Sequence, residues 1–272
     1  MLLPVRHNIV TMNTAERFAC TDAHCHLADP RLRGSLEHCL HRAGQAGVSC
    51  MICCATSPHD WDRVAQIARE HACSIPSFGL HPWFVATAAK GWFEQLVPLL
   101  ERYPHSGVGE IGLDWMVEPC DREAQVHAFE LQLDCARQMD RPVSIHCRGA
   151  WGALLASLKR AGVGERSGIV HSWSGSTECA REVQRAGLSL SFSASCLRPQ
   201  AHRVREVLRT LDPWYLLVET DSPDQPLAFN TGVNEPAFLT RIVAGVAAVR
   251  AQEFSQVAAA AHAAAQRIFC CG

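Results

Sequence analysis

Gly107-Val108-Gly109-Glu110-Ile111-Gly112-Leu113 is a short apolar run with one acid inside it, and Pro142-Val143-Ser144-Ile145-His146 is another, ending on an imidazole. Between them Val126, Phe129, Leu133, Ala136 and Met139 recur at helical spacing. Strand, amphipathic helix, strand is the pattern of a parallel crossover unit. Outward from this unit the same alternation fills the chain. Strands are expected at 20–24, 49–55, 74–80, 107–113, 142–146, 168–171, 188–193 and 214–219. The helical stretch after the fifth strand carries Leu154, Leu155, Leu158 and Ala161. Gly47, Gly162 and Gly187 stand where left-handed caps would end helices ahead of strands. An alanine-rich helix over residues 255–268 closes the chain. Eight such units in about 250 residues fit a (β/α)8 TIM barrel with an extra C-terminal helix. No linker or composition shift marks a second domain, so residues 20–272 are expected to form one barrel domain. Residues 1–19 read as a poorly ordered N-terminal extension in which Met12 offers an alternative start.

Composition narrows the function. A hydrophobic content of 48% is enough for a sizeable core. The net charge of −2 supplies no global basic field for tight non-specific binding to duplex DNA or acidic membranes, yet leaves a local phosphate site open. The 14 Cys lie mostly within apolar runs and lack the spacing of a small disulfide scaffold. A reducing, cytoplasmic compartment is therefore expected. Cys50 and Cys53 form a lone CxxC inside a predicted strand, where buried thiols act as small hydrophobes. No stretch approaches the ~20 apolar residues of a membrane span, and the N-terminal residues lack the apolar core of a secretory signal.

The chemistry resides in histidines and acids. His24 and His26 flank Cys25, and on a strand they point to one side while Cys25 points to the other. With 14 His in 272 residues, chance alone supplies roughly 0.7 such His-x-His pairs, so the pair by itself decides nothing. Placement decides. Nine other histidines fall in helices, loops or the N-terminal tail, whereas His24, His26, His81, His146 and His171 all sit at predicted strand ends. Glu110 is a charge inside a glycine-flanked apolar run, costly unless paired or coordinating a metal. Asp221 follows the eighth apolar run, two residues after Glu219. Neighbouring strands lie roughly 4.8 Å apart, so only a closed sheet brings the first and last of eight to one site. A barrel does this for every candidate group at once. Imidazoles and carboxylates together suit Zn²⁺, Mn²⁺ or a similar ion better than Mg²⁺, which prefers oxygen shells.

The ordered series AHCHL, GLHPW, GEIGLDW, SIHCR, IVHSWSGS, ETDSP and NEP closely resembles the TatD-like metal-dependent hydrolases of the amidohydrolase superfamily. The resemblance covers residues ~20–270, and the order is far more specific than any one motif. It implies two divalent metal ions at the carboxyl end of a (β/α)8 barrel. His24, His26 and Asp221 would hold one ion, His146 and His171 the other, and Glu110 would bridge them. Two sequence features depart from the family. Asp224 stands in place of the common aromatic after ETDSP, and Trp173 replaces the usual Phe in HSWSGS. Neither removes a ligand; the first reshapes the substrate mouth.

Three readings follow. The first is a two-metal phosphodiesterase or deoxyribonuclease acting on DNA or another phosphodiester, single-stranded or at short ends. Here Asp221 orients the attacking water or takes its proton, Glu110 and Asp221 serve catalysis through the metals, and Arg148 forks a phosphate oxygen. His81 and Trp83 line the substrate mouth. The second is an amide or ester hydrolase of the same superfamily. Many relatives of that kind bridge their metals with a modified lysine, whereas the fourth strand here offers Glu110 and no lysine. The third is a non-catalytic metal-binding or redox protein built on the cysteines; the His and carboxylate set argues against it, because structural sites are closed.

Overall fold

The computed structural model describes residues 19–164, 167–228 and 232–269. Except for Ala19, the expected N-terminal extension lies outside these residues, as do positions 270–272 of the expected domain. Eight strands pair in parallel in chain order: β1 (Cys20–Cys25), β2 (Val48–Cys54), β3 (Ser74–Phe78), β4 (Gly107–Asp114), β5 (Val143–Arg148), β6 (Gly168–Val170), β7 (Ser189–Phe192) and β8 (Leu216–Val218). Helices α1 (Leu36–Gln45), α2 (Pro58–Glu70), α3 (Trp92–Arg102), α4 (Arg122–Gln138), α5 (Trp151–Ala161), α6 (Thr177–Arg185) and α7 (His202–Thr210) connect them, and α8 (Leu239–Arg250) and α9 (Phe254–Phe269) follow β8. The architecture is a TIM barrel with an extra C-terminal helix.

The barrel closes through hydrogen bonds between the β8 end and β1. The Asp221 amide donates to the His24 carbonyl at 3.0 Å, and the His26 amide donates to the Ser222 carbonyl at 2.7 Å. Buried Asp22 adds a side-chain tie, accepting from the Thr220 amide at 2.8 Å and from its hydroxyl. This seam sets His24 and His26 beside Asp221. Helix α9 covers it from outside, packing on β1 and β8 with Val257, Ala258, Ala261, Ala264 and Ala265 buried. Its His262 meets the Thr21 hydroxyl at 2.9 Å. Thr21 thus faces outward, and alternation turns Asp22, His24 and His26 inward.

Helix α4 does more than cover the sheet. Asp121 caps it by accepting from the Ala124 amide at 2.9 Å. Phe129, Leu133 and Ala136 of the predicted stripe are buried, and Gln125 and Gln132 are buried with them. Two turns apart, these glutamines grip the ends of neighbouring strands. Gln125 accepts from the Asp114 amide (2.9 Å) and donates to its carbonyl (3.0 Å). Gln132 does the same for Leu80, at 2.7 and 3.2 Å. The backbone beyond β3 and at the end of β4 is thereby fixed from below the mouth.

Several boundaries differ from the sequence expectation, β3, β6 and β7 each ending sooner than expected. Trp214 and Tyr215 form a 3₁₀ turn, Pro213–Tyr215, instead of starting β8. Pro213 lacks an amide for the ladder, and Asp212 accepts from the Trp214 amide at 2.9 Å. Strands β4 and β5 are longer than expected, with Gly112 opposite His146 and Asp114 opposite Arg148. His146 therefore lies within β5, not at its last residue, while Glu110 lies inside β4 as the expected strand had it. Gly112 permits the close pairing: its φ is +138°, and a Cβ there would come within 2.0 Å of the His146 carbonyl oxygen.

Candidate metal centre

Glu110, buried at 2% exposure, is the hub. Its two carboxylate oxygens face different neighbours. Oε2 lies 3.3 Å from His24 Nε2 and 3.2 Å from His26 Nε2. Oε1 lies 2.8 Å from His171 Nε2, 3.0 Å from His146 Nδ1 and 3.1 Å from His81 Nε2. Asp221 Oδ1 faces the Oε2 side, 3.5 Å from His26 Nε2 and 3.8 Å from His24 Nε2. The donor atoms of His24, His26 and Asp221 lie within 4.8 Å of one another, as do those of His24, Glu110 and His171 and those of His81, Glu110 and His146. All six residues expected as metal ligands therefore converge on one centre, and no cysteine belongs to these groups.

An imidazole ligates through a lone pair, so its other nitrogen must carry the proton and find an acceptor. His26 Nδ1 lies 3.0 Å from the Cys54 carbonyl. His146 Nε2 lies 3.1 Å from Asp114 Oδ2, and His171 Nδ1 lies 3.4 Å from Glu219 Oε1. His24 Nδ1 lies 2.7 Å from the Ser144 hydroxyl, which can accept. In each case a lone pair is left aimed at the centre. His81 differs. Its Nδ1 accepts from the Trp83 amide at 3.2 Å, so neutral His81 carries its proton on Nε2, the atom 3.1 Å from Glu110. It is arranged to donate, not to ligate. Four imidazoles and two carboxylates thus fit divalent ions of the zinc and manganese kind, while the fifth imidazole, expected at the mouth, is buried beside Glu110 as a hydrogen-bond donor.

Among themselves these groups divide charge unevenly. Burial tends to raise the Glu110 carboxyl, but the imidazoles of His81, His171 and His24 and the hydrogen bond from His146 hold it well below the usual range. Burial pushes His24 down, reinforced by His171, and burial lowers His81 to about 4. For His26 and His171 burial also favours the neutral ring, but the carboxylates beside them outweigh it and push both well up. So many imidazoles around few carboxylates favour a cationic occupant, which satisfies the carboxylates and the lone pairs together.

Asp114 and Gln225 escaped the sequence reading, whereas Glu219 was weighed there beside Asp221 and here pairs structurally. Asp114 ties His146 to the Trp83 indole, whose N–H donates to Oδ2 at 2.7 Å. Glu219 accepts from the Ser172 amide at 2.8 Å and from the Ser191 hydroxyl, which orients it toward His171. Gln225 donates to Asp221 Oδ2 and, at 2.7 Å, to the Ser172 hydroxyl. Ser172, Asp221 and Gln225 all have left-handed backbone, with φ of 43°, 56° and 50°. Such conformations cost energy in residues other than glycine and cluster at functional sites. The centre opens into a cavity of about 780 Å³, lined on its outer part by Trp83, Arg148, Arg198, Arg31 and Asp224. Arg148 is exposed at the end of β5, and Trp83 is 52% exposed. Cys50 and Cys53 lie buried in β2, as core packing requires. Burial pushes the Cys53 thiol up to about 11, away from the thiolate that redox or metal chemistry needs.

A closed parallel barrel with a His and carboxylate centre at its carboxyl end defines the class: a metal-dependent hydrolase. The chain belongs to the TatD-related DNase family, which it matches over residues 21–270. It is 34% identical over 242 residues to the uncharacterized metal-dependent hydrolase YjjV of Escherichia coli K12, a match covering 88% of this chain and 93% of the relative. The crystal structure of that TatD homologue superposes with a TM-score of 0.89, covering 94% of this chain and 100% of the other. The 3'-5' ssDNA/RNA exonuclease TatD of Erwinia amylovora is 29% identical over 239 residues, 84% of this chain and 91% of its own length.

Proposed function

We propose that the protein is a two-metal phosphodiesterase that trims the ends of single-stranded nucleic acid. One observation carries the reading: the two oxygens of a single buried carboxylate, Glu110, address two separate sets of ligand-competent groups. His24, His26 and Asp221 would hold one divalent ion, His146 and His171 the other, with Glu110 between them. Bound there, a pair of ions would offset phosphoryl charge and bring water near neutrality in acidity. The chain's own groups do the rest. His81 donates Nε2–H to Glu110 and steadies that carboxylate. Asp221, with Oδ2 clamped by Gln225, keeps Oδ1 toward the centre to take the proton of the attacking water. Arg148 forks the non-reacting oxygens as charge builds. The name of the Erwinia relative supports a single-stranded substrate. Most of the described cysteines are buried in the core, which suits a reducing cytoplasm; among the described residues no helix is long and apolar enough to cross a membrane.

Arg148→Ala tests the substrate class. Phosphodiester turnover should fall, while hydrolysis of a carboxylic ester, which offers less charge to hold, stays nearly intact. Equal losses on both classes, or robust amidase activity without phosphodiesterase activity under any metal, would shift the assignment to amide or ester hydrolysis.

A further inference from the structure

The cavity mouth is electrostatically lopsided. On the β1 and β8 side, the Arg31 guanidinium is held by two carboxylates at once. Its Nε and Nη2 donate to Asp29 at 2.9 and 2.8 Å, and its Nη1 and Nη2 donate to Asp224 at 2.9 and 2.8 Å. Two carboxylates against one guanidinium leave this triad with a net negative charge. Asp224 is the residue that stands where the family commonly has an aromatic. It is well anchored: its amide donates to the Asp221 carbonyl at 2.8 Å, and its carbonyl accepts from fully buried Asn234 at 2.8 Å. The wall therefore stands three residues from the centre and laces the β1 loop to the β8 loop. Across the barrel, at the end of β5, Arg148 lines the same cavity, and Arg198, in the segment after β7, lines it nearer β8. The cavity lining also includes the neutral groups Ser172, Ser195 and Gln225, suited to sugar hydroxyls and base edges.

We infer that the Asp29–Arg31–Asp224 wall is a specificity determinant that closes one end of the substrate groove to phosphate. A continuous strand would carry a further phosphate over this wall and be repelled. A strand terminus presents only its uncharged nucleoside there, while its flanking phosphates run toward Arg148. Selection for ends then follows from charge placement. The inference rests on the phosphodiester reading of the centre.

The test uses Asp224→Asn and Arg31→Met in the metal-loaded full chain. Asn at 224 can still accept from Arg31, so the wall keeps its shape and loses its excess charge. Met at 31 leaves both carboxylates without their cation. With a single strand of about twelve nucleotides, Asp224→Asn should lower KM about three- to tenfold and Arg31→Met should raise it by a similar factor. A dinucleoside monophosphate, with no flanking phosphate, should change less than about twofold in either variant. Opposite signs are the signature of charge, because breaking a merely structural lock moves both variants the same way. Same-direction changes, or equal changes on both substrates, overturn the inference. Fluorescence anisotropy with the labelled longer strand separates the two levels. If the wild type hydrolyses neither substrate but the affinities keep the predicted order, the phosphodiester reading fails and the wall stands. Turnover without that order removes the wall and leaves the reading in place.

Discussion

Asp114→Asn removes one charge from a residue that touches no substrate, yet its effect should be large and confined to one ion. The Asp114 carboxylate accepts three N–H groups. Oδ2 takes the Trp83 indole at 2.7 Å and His146 Nε2 at 3.1 Å, and Oδ1 takes the Met116 amide at 2.8 Å. Asparagine has one oxygen and one NH₂. With the oxygen toward Trp83 and His146, the NH₂ confronts the Met116 amide; flipped, it confronts both rings. Either way a buried donor loses its partner, at about 1–3 kcal/mol. Removing the outer partner of a ligating imidazole typically costs 10–100-fold in metal affinity or activity, about 1.4–2.8 kcal/mol. The two figures agree. Because His146 is assigned to one ion only, chelator competition should show one of two binding steps weakened by that factor while the other is unchanged. Circular dichroism should report an intact fold, since the rest of β4 keeps its ladder. Unchanged affinity at both steps, or equal weakening of both, would refute the assignment of His146 and the role of Asp114 behind it.

Two further outcomes follow from the same geometry. Glu110→Gln keeps size but loses the charge shared between both sets of ligands; metal content after desalting and turnover should both fall further than for any single His→Ala change, which parallel metal analysis and rate assays would check. Gln225→Met frees Asp221 Oδ2 from its clamp and should lower kcat about tenfold with KM little changed, a part of the roughly 10²–10⁴-fold that a positioned general base contributes; a change in KM alone would place Gln225 in substrate binding instead.

The barrel was legible because period and punctuation repeat. Apolar runs alternate with helical stripes such as Phe129, Leu133 and Ala136, and those residues are buried where the spacing places them. The candidate ligands were legible because ionisable groups in apolar strands are costly without partners, which made Glu110 conspicuous. The supporting groups were harder to find, for differing reasons. Asp114 shares a strand face with Glu110 by parity, but ending the predicted strand at Leu113 put it out of view. Ser144 lies two residues before His146 on the same face, yet a serine in a strand carries no signal of its own. Gln125 and Gln132 interrupt an apolar stripe and reveal their role only once the ends of β3 and β4 are in place. Gln225 depends on left-handed turns at Asp221 and at its own position, which neither residue type announces. The tautomer of His81 hangs on one backbone amide, a tertiary fact invisible in the motif GLHPW.

The central claim is that Glu110 and its neighbours hold two ions that act together. Metal-free protein, verified by elemental analysis, should be inactive. Titration with Mn²⁺, Zn²⁺ or Co²⁺ should restore hydrolysis along a curve that reaches its plateau only at two ions per chain. Full activity in verified metal-free protein, or a plateau at one ion per chain, would contradict it.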